Sequence, residues 1–163
     1  MIEYKAGNLL TADVNIIVHG CNCKLSMGAG IAKQIKKMFP EAHTADLETM
    51  WGDKSKLGTY TKAETKSKTI VNAYTQFNYT KDEIDVDYDA LIRVFTKIKE
   101  DFPHYLKIGM PRIGCGLAGG DWNKVEFILD RIFDDRIIEI YDLPDNIQWI
   151  KKEDRWINVK STL

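Results

Sequence analysis

Residues 16–32 read Ile16-Ile17-Val18-His19-Gly20-Cys21-Asn22-Cys23-Lys24-Leu25-Ser26-Met27-Gly28-Ala29-Gly30-Ile31-Ala32, a β-branched apolar run, a glycine-bearing turn and the start of a helical pattern. The run from Asn15 to Cys21 predicts a strand, because β-branched side chains suit a pleated, buried surface. Beyond the turn, Ile31, Ile35 and Met38 recur at near-helical spacing. Glycines between a strand and a helix let the backbone turn tightly and approach a ligand closely. The N–H groups and positive dipole end of such a helix stabilise a diphosphate without a dedicated lysine. Taken alone, the same pattern also describes a plain tight connection.

A second segment of this kind changes the balance. Pro111-Arg112-Ile113-Gly114-Cys115-Gly116-Leu117-Ala118-Gly119-Gly120 joins a strand expected over Tyr105 to Met110 to a helix beginning near Asp121-Trp122. Two such loops can clamp one diphosphate. Neither loop is read as the dinucleotide pattern G-x-G-x-x-G or as the Walker sequence G-x-x-x-x-G-K-[ST]. A Rossmann cofactor and a nucleoside triphosphatase are both disfavoured, and a different nucleotide-diphosphate fold is expected.

Outward from these loops, short runs at Ile2 to Lys5, Gly58 to Ala63, Thr69 to Tyr74 and Arg136 to Tyr141 also predict strands. Leu91, Val94, Phe95 and Ile98, then Val125, Ile128, Leu129 and Ile132, predict helices. Acidic residues from Asp87 to Asp89 and Pro103 bound one of them, read as Asp87 to Phe102. The polar stretch Lys62 to Lys68 reads as a solvated hairpin or loop. This alternation predicts a layered α/β fold with a mixed sheet.

The chain has 163 residues and 44% hydrophobic content, enough for one domain with a substantial core. Its 23 basic and 24 acidic residues nearly cancel, so no overall positive field draws it to nucleic acid or membrane. No stretch approaches the roughly 18–20 apolar residues of a membrane span, and Met1 to Leu10 lacks a signal-peptide core. A cytoplasmic location and no membrane partner are expected. Cys21, Cys23 and Cys115 do not make a paired framework and are read as free thiols. Residues 1–143 are expected to form the domain, and 144–163, which mix Trp149 and Trp156 with charge, a short extension packed on it.

The order Gly7-Asn8-Leu9-Leu10, Ile16 to Asn22, Met27-Gly28-Ala29-Gly30-Ile31-Ala32 and Met110-Pro111-Arg112-Ile113-Gly114-Cys115-Gly116-Leu117 resembles the macrodomain family over roughly residues 2–141. Within it the chain looks closest to the branch of ADP-ribose-1''-phosphate phosphatases and terminal and DNA ADP-ribose glycohydrolases. His19-Gly20-Cys21-Asn22-Cys23 is similar to the phosphatase members. The resemblance implies a three-layer α/β/α fold around a central mixed sheet; no cofactor and no metal are expected. ADP-ribose or ADP-ribose-1''-phosphate is the implied ligand, and ADP-ribosylated protein or nucleic acid the alternative substrate.

By position, the resemblance puts Asn8 and Leu9 at the adenine, although the family usually has aspartate where Asn8 stands. An amide oxygen can still accept from the adenine amino group. Asn22 falls at the distal ribose. Met27, Gly28, Ala29, Gly30 and Ile31, with Ile113, Gly114, Cys115, Gly116 and Leu117, fall on the diphosphate-binding segments. A turn role for Asn8 and a strand-cap role for Asn22 are the plainer readings of the same residues.

The resemblance does not choose between binding, phosphate removal and glycosidic cleavage. Glycohydrolase members carry a lysine in the segment matching Asn72 to Gln76, and one group adds an aspartate after the second glycine loop. This sequence has Gln76 and Ala118 there. An amide forms no Schiff base, so a lysine-dependent route is in doubt, with Lys24 the nearest substitute. For phosphate-monoester hydrolysis, His19 is the expected general acid or base and Asn22 its companion in the site. A regular strand sets His19 and Asn22 on opposite faces unless it bends, and Gly20 is the expected bend. A core histidine is the competing reading of His19. His19-x-Cys21-x-Cys23 lacks the spacing of a zinc site, and no cysteine has an arginine six residues on. Asp85 to Asp87 and Asp121 are read as helix caps, and Trp122 as core packing.

Overall fold

The computed structural model describes residues 1–80, 84–116, 118–143 and 149–159. Its elements run β1 (Ile2–Ala6), β2 (Ile16–Asn22), α1 (Gly30–Met38), α2 (Pro40–Leu47), β3 (Tyr60–Glu64), β4 (Thr69–Gln76), α3 (Tyr88–Asp101), β5 (Ile108–Met110), α4 (Trp122–Ile132), β6 (Ile138–Asp142), β7 (Trp149–Lys152) and β8 (Arg155–Asn158). Six strands form one mixed sheet in the order β1-β6-β5-β2-β4-β3. All its neighbouring pairs are parallel except β3 against β4.

Strand alternation divides the core into two layers. Ile16 and Val18 of β2 pack with Leu91, Val94, Phe95 and Val125 from α3 and α4, whereas Ile17 packs with Ile35 of α1 and Ala42 of α2. Helices therefore cover both faces, giving the expected α/β/α layers. β2 is a continuous apolar run because it is covered on both sides. Burying each large aliphatic side chain contributes roughly 1.5–3 kcal/mol.

The expected caps form at Asp87 and Asp121, whereas Asp85 accepts from the Thr80 hydroxyl instead of capping α3. Asp87 accepts from the Ala90 N–H and Asp121 from the Asn123 N–H, capping α3 and α4. Trp122 is completely buried. Boundaries differ in three places. Tyr105 lies in a turn before β5 and is exposed, Met38 lies on the solvent side of α1, and Lys62 to Glu64 extend β3 before a tight turn from Thr65 to Lys68. α2 was not legible in the sequence, since it buries only Ala42 and Asp46 and so has no apolar stripe.

The expected C-terminal extension contains the hairpin β7–β8, turned by Glu153 and Asp154, both with positive φ. It lies against α4, where Asn123 exchanges two hydrogen bonds with the Trp156 backbone. Residues 144–148 and 160–163 of that extension lie outside the described residues. Among the described residues, no helix is long and apolar enough to cross a membrane.

Candidate functional site

β2 and β5 are parallel neighbours, so the loops that follow them leave the sheet toward the same end, with β2 running on to Asn22 beyond the end of β5 at Met110. The chain passes from β2 to α1 on one face, and from β5 to α4 on the other. Opposite departures from adjacent parallel strands open a crevice at their carboxyl ends. The two glycine loops border it.

In the first loop, Asn22 Oδ1 accepts from the N–H groups of Lys24 at 2.9 Å and Ser26 at 3.3 Å, while Nδ2 donates to Ser26 O at 2.9 Å. This amide folds residues 23–26 back on themselves and leaves Asn22 buried. Met27 is also buried, Gly28, Ala29 and Gly30 are exposed, and Ile31 is half-buried. The N-cap of α1 is Ala29, which has no side-chain acceptor, and no acidic residue occupies the first turn. α3 and α4, by contrast, have their aspartate caps. The start of α1 therefore keeps N–H donors and a positive dipole end for an outside anion.

The second loop is braced from behind. Gly120 N donates to Gly114 O at 2.7 Å, and Gly114 has φ +76° and leaves no room for a Cβ, which would lie 2.6 Å from Val86 Cγ2. Ile113 and Cys115 are buried, whereas Gly116 is exposed and a side chain built there meets nothing within 4 Å. A Cβ on Gly28 meets only Ser26 Oγ at 3.8 Å, so both glycines face open space. Leu117 lies outside the described residues. Contrary to the expectation that neither loop fits the dinucleotide pattern, the spacing Gly114-x-Gly116-x-x-Gly119 satisfies its letters. Topology separates the two cases: the glycines follow β5, late in the chain, and the sheet order is not that of a doubly wound dinucleotide fold.

Asn8 is exposed and its Oδ1 accepts from Leu10 N at 3.0 Å, capping a short 3-10 turn. Leu9 is buried in the core beneath it. The acceptor expected for adenine is thus engaged within its own turn.

His19 lies away from the crevice. Its ring is 0% exposed, and Nε2 lies 2.7 Å from Asn72 Oδ1 on β4. Burial pushes its pKa down to about 4 against the upward pull of the Asn72 hydrogen bond. Cys21 Sγ lies 3.5 Å from Nε2, and burial raises the pKa of all three cysteine thiols. In this conformation the expected general acid or base has no path to a ligand, and the thiols are poor nucleophiles. The expected bend at Gly20 is instead a register shift between Cys21 and Asn22, where β4 carries Thr75 as an extra residue. Gly20 serves close packing: a Cβ there would lie 2.7 Å from Thr75 Oγ1 and 3.1 Å from Ile113.

Three contributors escaped the sequence reading. Asn72 fixes His19, the buried Thr75 hydroxyl borders Gly20 with no hydrogen-bond partner among the described residues, and Arg112 pairs with Asp142. Each depends on residues at least thirty positions apart or on a bulge, and no local pattern marks them.

The family model described as Macro domain matches residues 18–129. An uncharacterized 17.5 kDa protein in the tk-vs intergenic region of Enterobacteria phage T4 is 39% identical over 140 residues, 80% of this chain and 88% of that protein. The DNA ADP-ribosyl glycohydrolase of Mycobacterium tuberculosis is 31% identical over 134 residues, which are 77% of this chain but 37% of that longer protein. The ADP-ribose 1''-phosphate phosphatase of Candida albicans is 28% identical over 155 residues, 86% of this chain and 99% of that one. Among solved structures, the macrodomain of Mycobacterium tuberculosis DarG aligns with TM-score 0.70 and 30% identity, covering 86% of this chain and 97% of that one.

Proposed function

The chain belongs to the macrodomain family, and from that premise we propose that it binds ADP-ribose in the crevice above β2 and β5. The diphosphate rests on the start of α1 and on the second glycine loop, with the adenine toward Asn8 and Leu9 and the distal ribose toward Asn22. One observation carries this reading: an uncapped helix N-terminus follows β2, and a loop whose Gly116 faces open space follows its parallel neighbour β5. The ADP-ribose-binding unit is residues 1–143, with 144–163 appended. Three free, buried thiols suit the reducing cytoplasm.

The reaction that fits this site best is release of the terminal phosphate from ADP-ribose-1''-phosphate. Backbone donors there stabilise an anion and its transition state. Gln76 closes β4 with Nε2 donating to Asn78 O at 2.7 Å, and an amide supports no lysine-type covalent route. His19 takes part as acid or base only if its ring leaves Asn72; otherwise Lys24, two residues past Asn22, is the nearest cation in sequence. A second reading, release of ADP-ribose from modified protein or nucleic acid, draws on the similarity to the mycobacterial glycohydrolase.

Product analysis tests the choice. Incubation with ADP-ribose-1''-phosphate, with an ADP-ribosylated oligonucleotide and with an ADP-ribosylated protein is expected to yield inorganic phosphate from the first. Free ADP-ribose from either of the others, without phosphate release, selects the second reading. Binding without any product makes the protein a recognition module.

A further inference from the structure

Arg112 is the one cation in residues 111–120, yet its side chain is only 5% exposed. Nε and Nη2 donate to the two carboxylate oxygens of Asp142 at 2.9 and 2.8 Å. The guanidinium carbon lies 4.0 Å from the ring centroid of Trp156, with Tyr4 and Trp122 at 5.0 and 5.2 Å. Trp156 belongs to the β7–β8 hairpin, beyond the family match, and Nε1 fastens it to Glu126 of α4 at 2.7 Å. Nη1 is buried with no hydrogen-bond partner among the described residues, so the geometry of the guanidinium is set by the two-pronged pair through Nε and Nη2 and by the stacked rings.

Three elements meet at this group. The Arg112 carbonyl accepts from Cys115 N at 3.2 Å, forming the first turn of the second glycine loop. The Asp142 carbonyl accepts from Gly7 N at 2.8 Å, immediately before Asn8. The hairpin itself walls a cleft of about 930 Å³ whose other side includes Cys115, Gly116, Gly119 and Gly120.

We infer that Arg112 is a positioning residue for the ligand crevice, and that the C-terminal hairpin, through Trp156, holds the second glycine loop in its binding geometry. The inference rests on the ligand placement proposed above. A loop ordered in advance costs the ligand less to bind, so loss of the ring lowers affinity without removing any ligand contact.

The test compares Trp156→Leu with Trp156→Phe in the full chain. Both lose the Nε1 bond to Glu126, and only phenylalanine keeps a ring over Arg112. ADP-ribose affinity is measured by titration calorimetry, and amide hydrogen exchange of residues 113–116 and 118–120 is measured without ligand. The leucine variant is expected to bind about tenfold more weakly and to exchange faster in this loop alone, whereas the phenylalanine variant stays within about threefold of the parent. If the leucine variant does not fold, Arg112→Lys, which keeps the charge and loses the two-pronged pair, is read by the same measures with the same expected losses. Parental affinity and unchanged loop exchange would overturn the inference, as would faster exchange spread evenly through β2 and β4, which marks Trp156 as general packing. If the parent binds no ADP-ribose, the proposed function fails, and loop exchange alone still decides the role of Arg112.

Discussion

His19 and Asn72 stand opposite each other in the β2–β4 ladder, with imidazole Nε2 and amide Oδ1 2.7 Å apart. Asn72 Nδ2 donates to Ala42 O at 2.9 Å and to Thr61 Oγ1 at 3.1 Å, so the amide oxygen is the atom left to face the ring. Nε2 must then carry the proton, and the neutral imidazole donates. The pair links β2 to β3, β4 and α2 through buried, satisfied polar atoms.

A pH dependence of stability follows from this burial. The pKa of His19 is about 4 in the folded protein against about 6.5 when unfolded. Between those values the unfolded chain binds the extra proton, so stability is complete above pH 6.5 and falls as pH drops toward 4, by up to roughly 3 kcal/mol. Urea unfolding at a series of pH values is expected to show this fall in the parent and a shallower one in His19→Gln. An identical slope in the two proteins would remove His19 as its source.

Replacing His19 by alanine separates core from catalysis. Asn72 Oδ1 loses its partner inside the sheet, which costs about 1–3 kcal/mol in addition to the cavity left behind. Phosphate release per folded molecule is expected to stay within about threefold of the parent, whereas loss of a direct general acid or base costs on the order of a hundredfold or more. A drop of that size, with folding verified by circular dichroism, would show that the ring swings out to the substrate.

Free ADP-ribose should stabilise the folded chain. At a concentration a hundredfold above Kd, binding adds about 2.7 kcal/mol, which for a domain of this size raises Tm by roughly 5–10 °C. Calorimetric titration and thermal unfolding measure the two sides of this linkage. No heat and no shift at millimolar ligand would sink the proposed crevice.

The glycines divide into two groups with opposite expected outcomes. Gly28→Val and Gly116→Val place side chains in open space, so Tm should change little while ADP-ribose affinity falls about tenfold or more. Gly114→Ala puts a Cβ 2.6 Å from Val86 Cγ2 at φ +76°, and should lose about 1–3 kcal/mol of stability. Unchanged affinity in both valine variants would reduce these loops to simple connections.

Much of the fold is legible locally. The apolar run of β2, the recurrence of Leu91, Val94, Phe95 and Ile98, and the capping aspartates 87 and 121 each express a preference carried within a few residues. α2 and the β7–β8 hairpin are not legible in this way. One has no apolar stripe, and the other turns at Glu153-Asp154, which lack the glycine or asparagine that usually marks such a turn.

By itself, the sequence determined the layered α/β class, the two glycine loops at strand-to-helix junctions and the family, because all of these reside in short motifs and their order. Tertiary structure alone decided which faces of those motifs meet the crevice. Strand alternation sends His19 into the core against Asn72, the insertion of Thr75 shifts the pairing of Asn22, and distant Asp142 and Trp156 enclose Arg112. A side chain's chemistry is written at its own position, but its solvent access and its partners come from segments that only folding brings together.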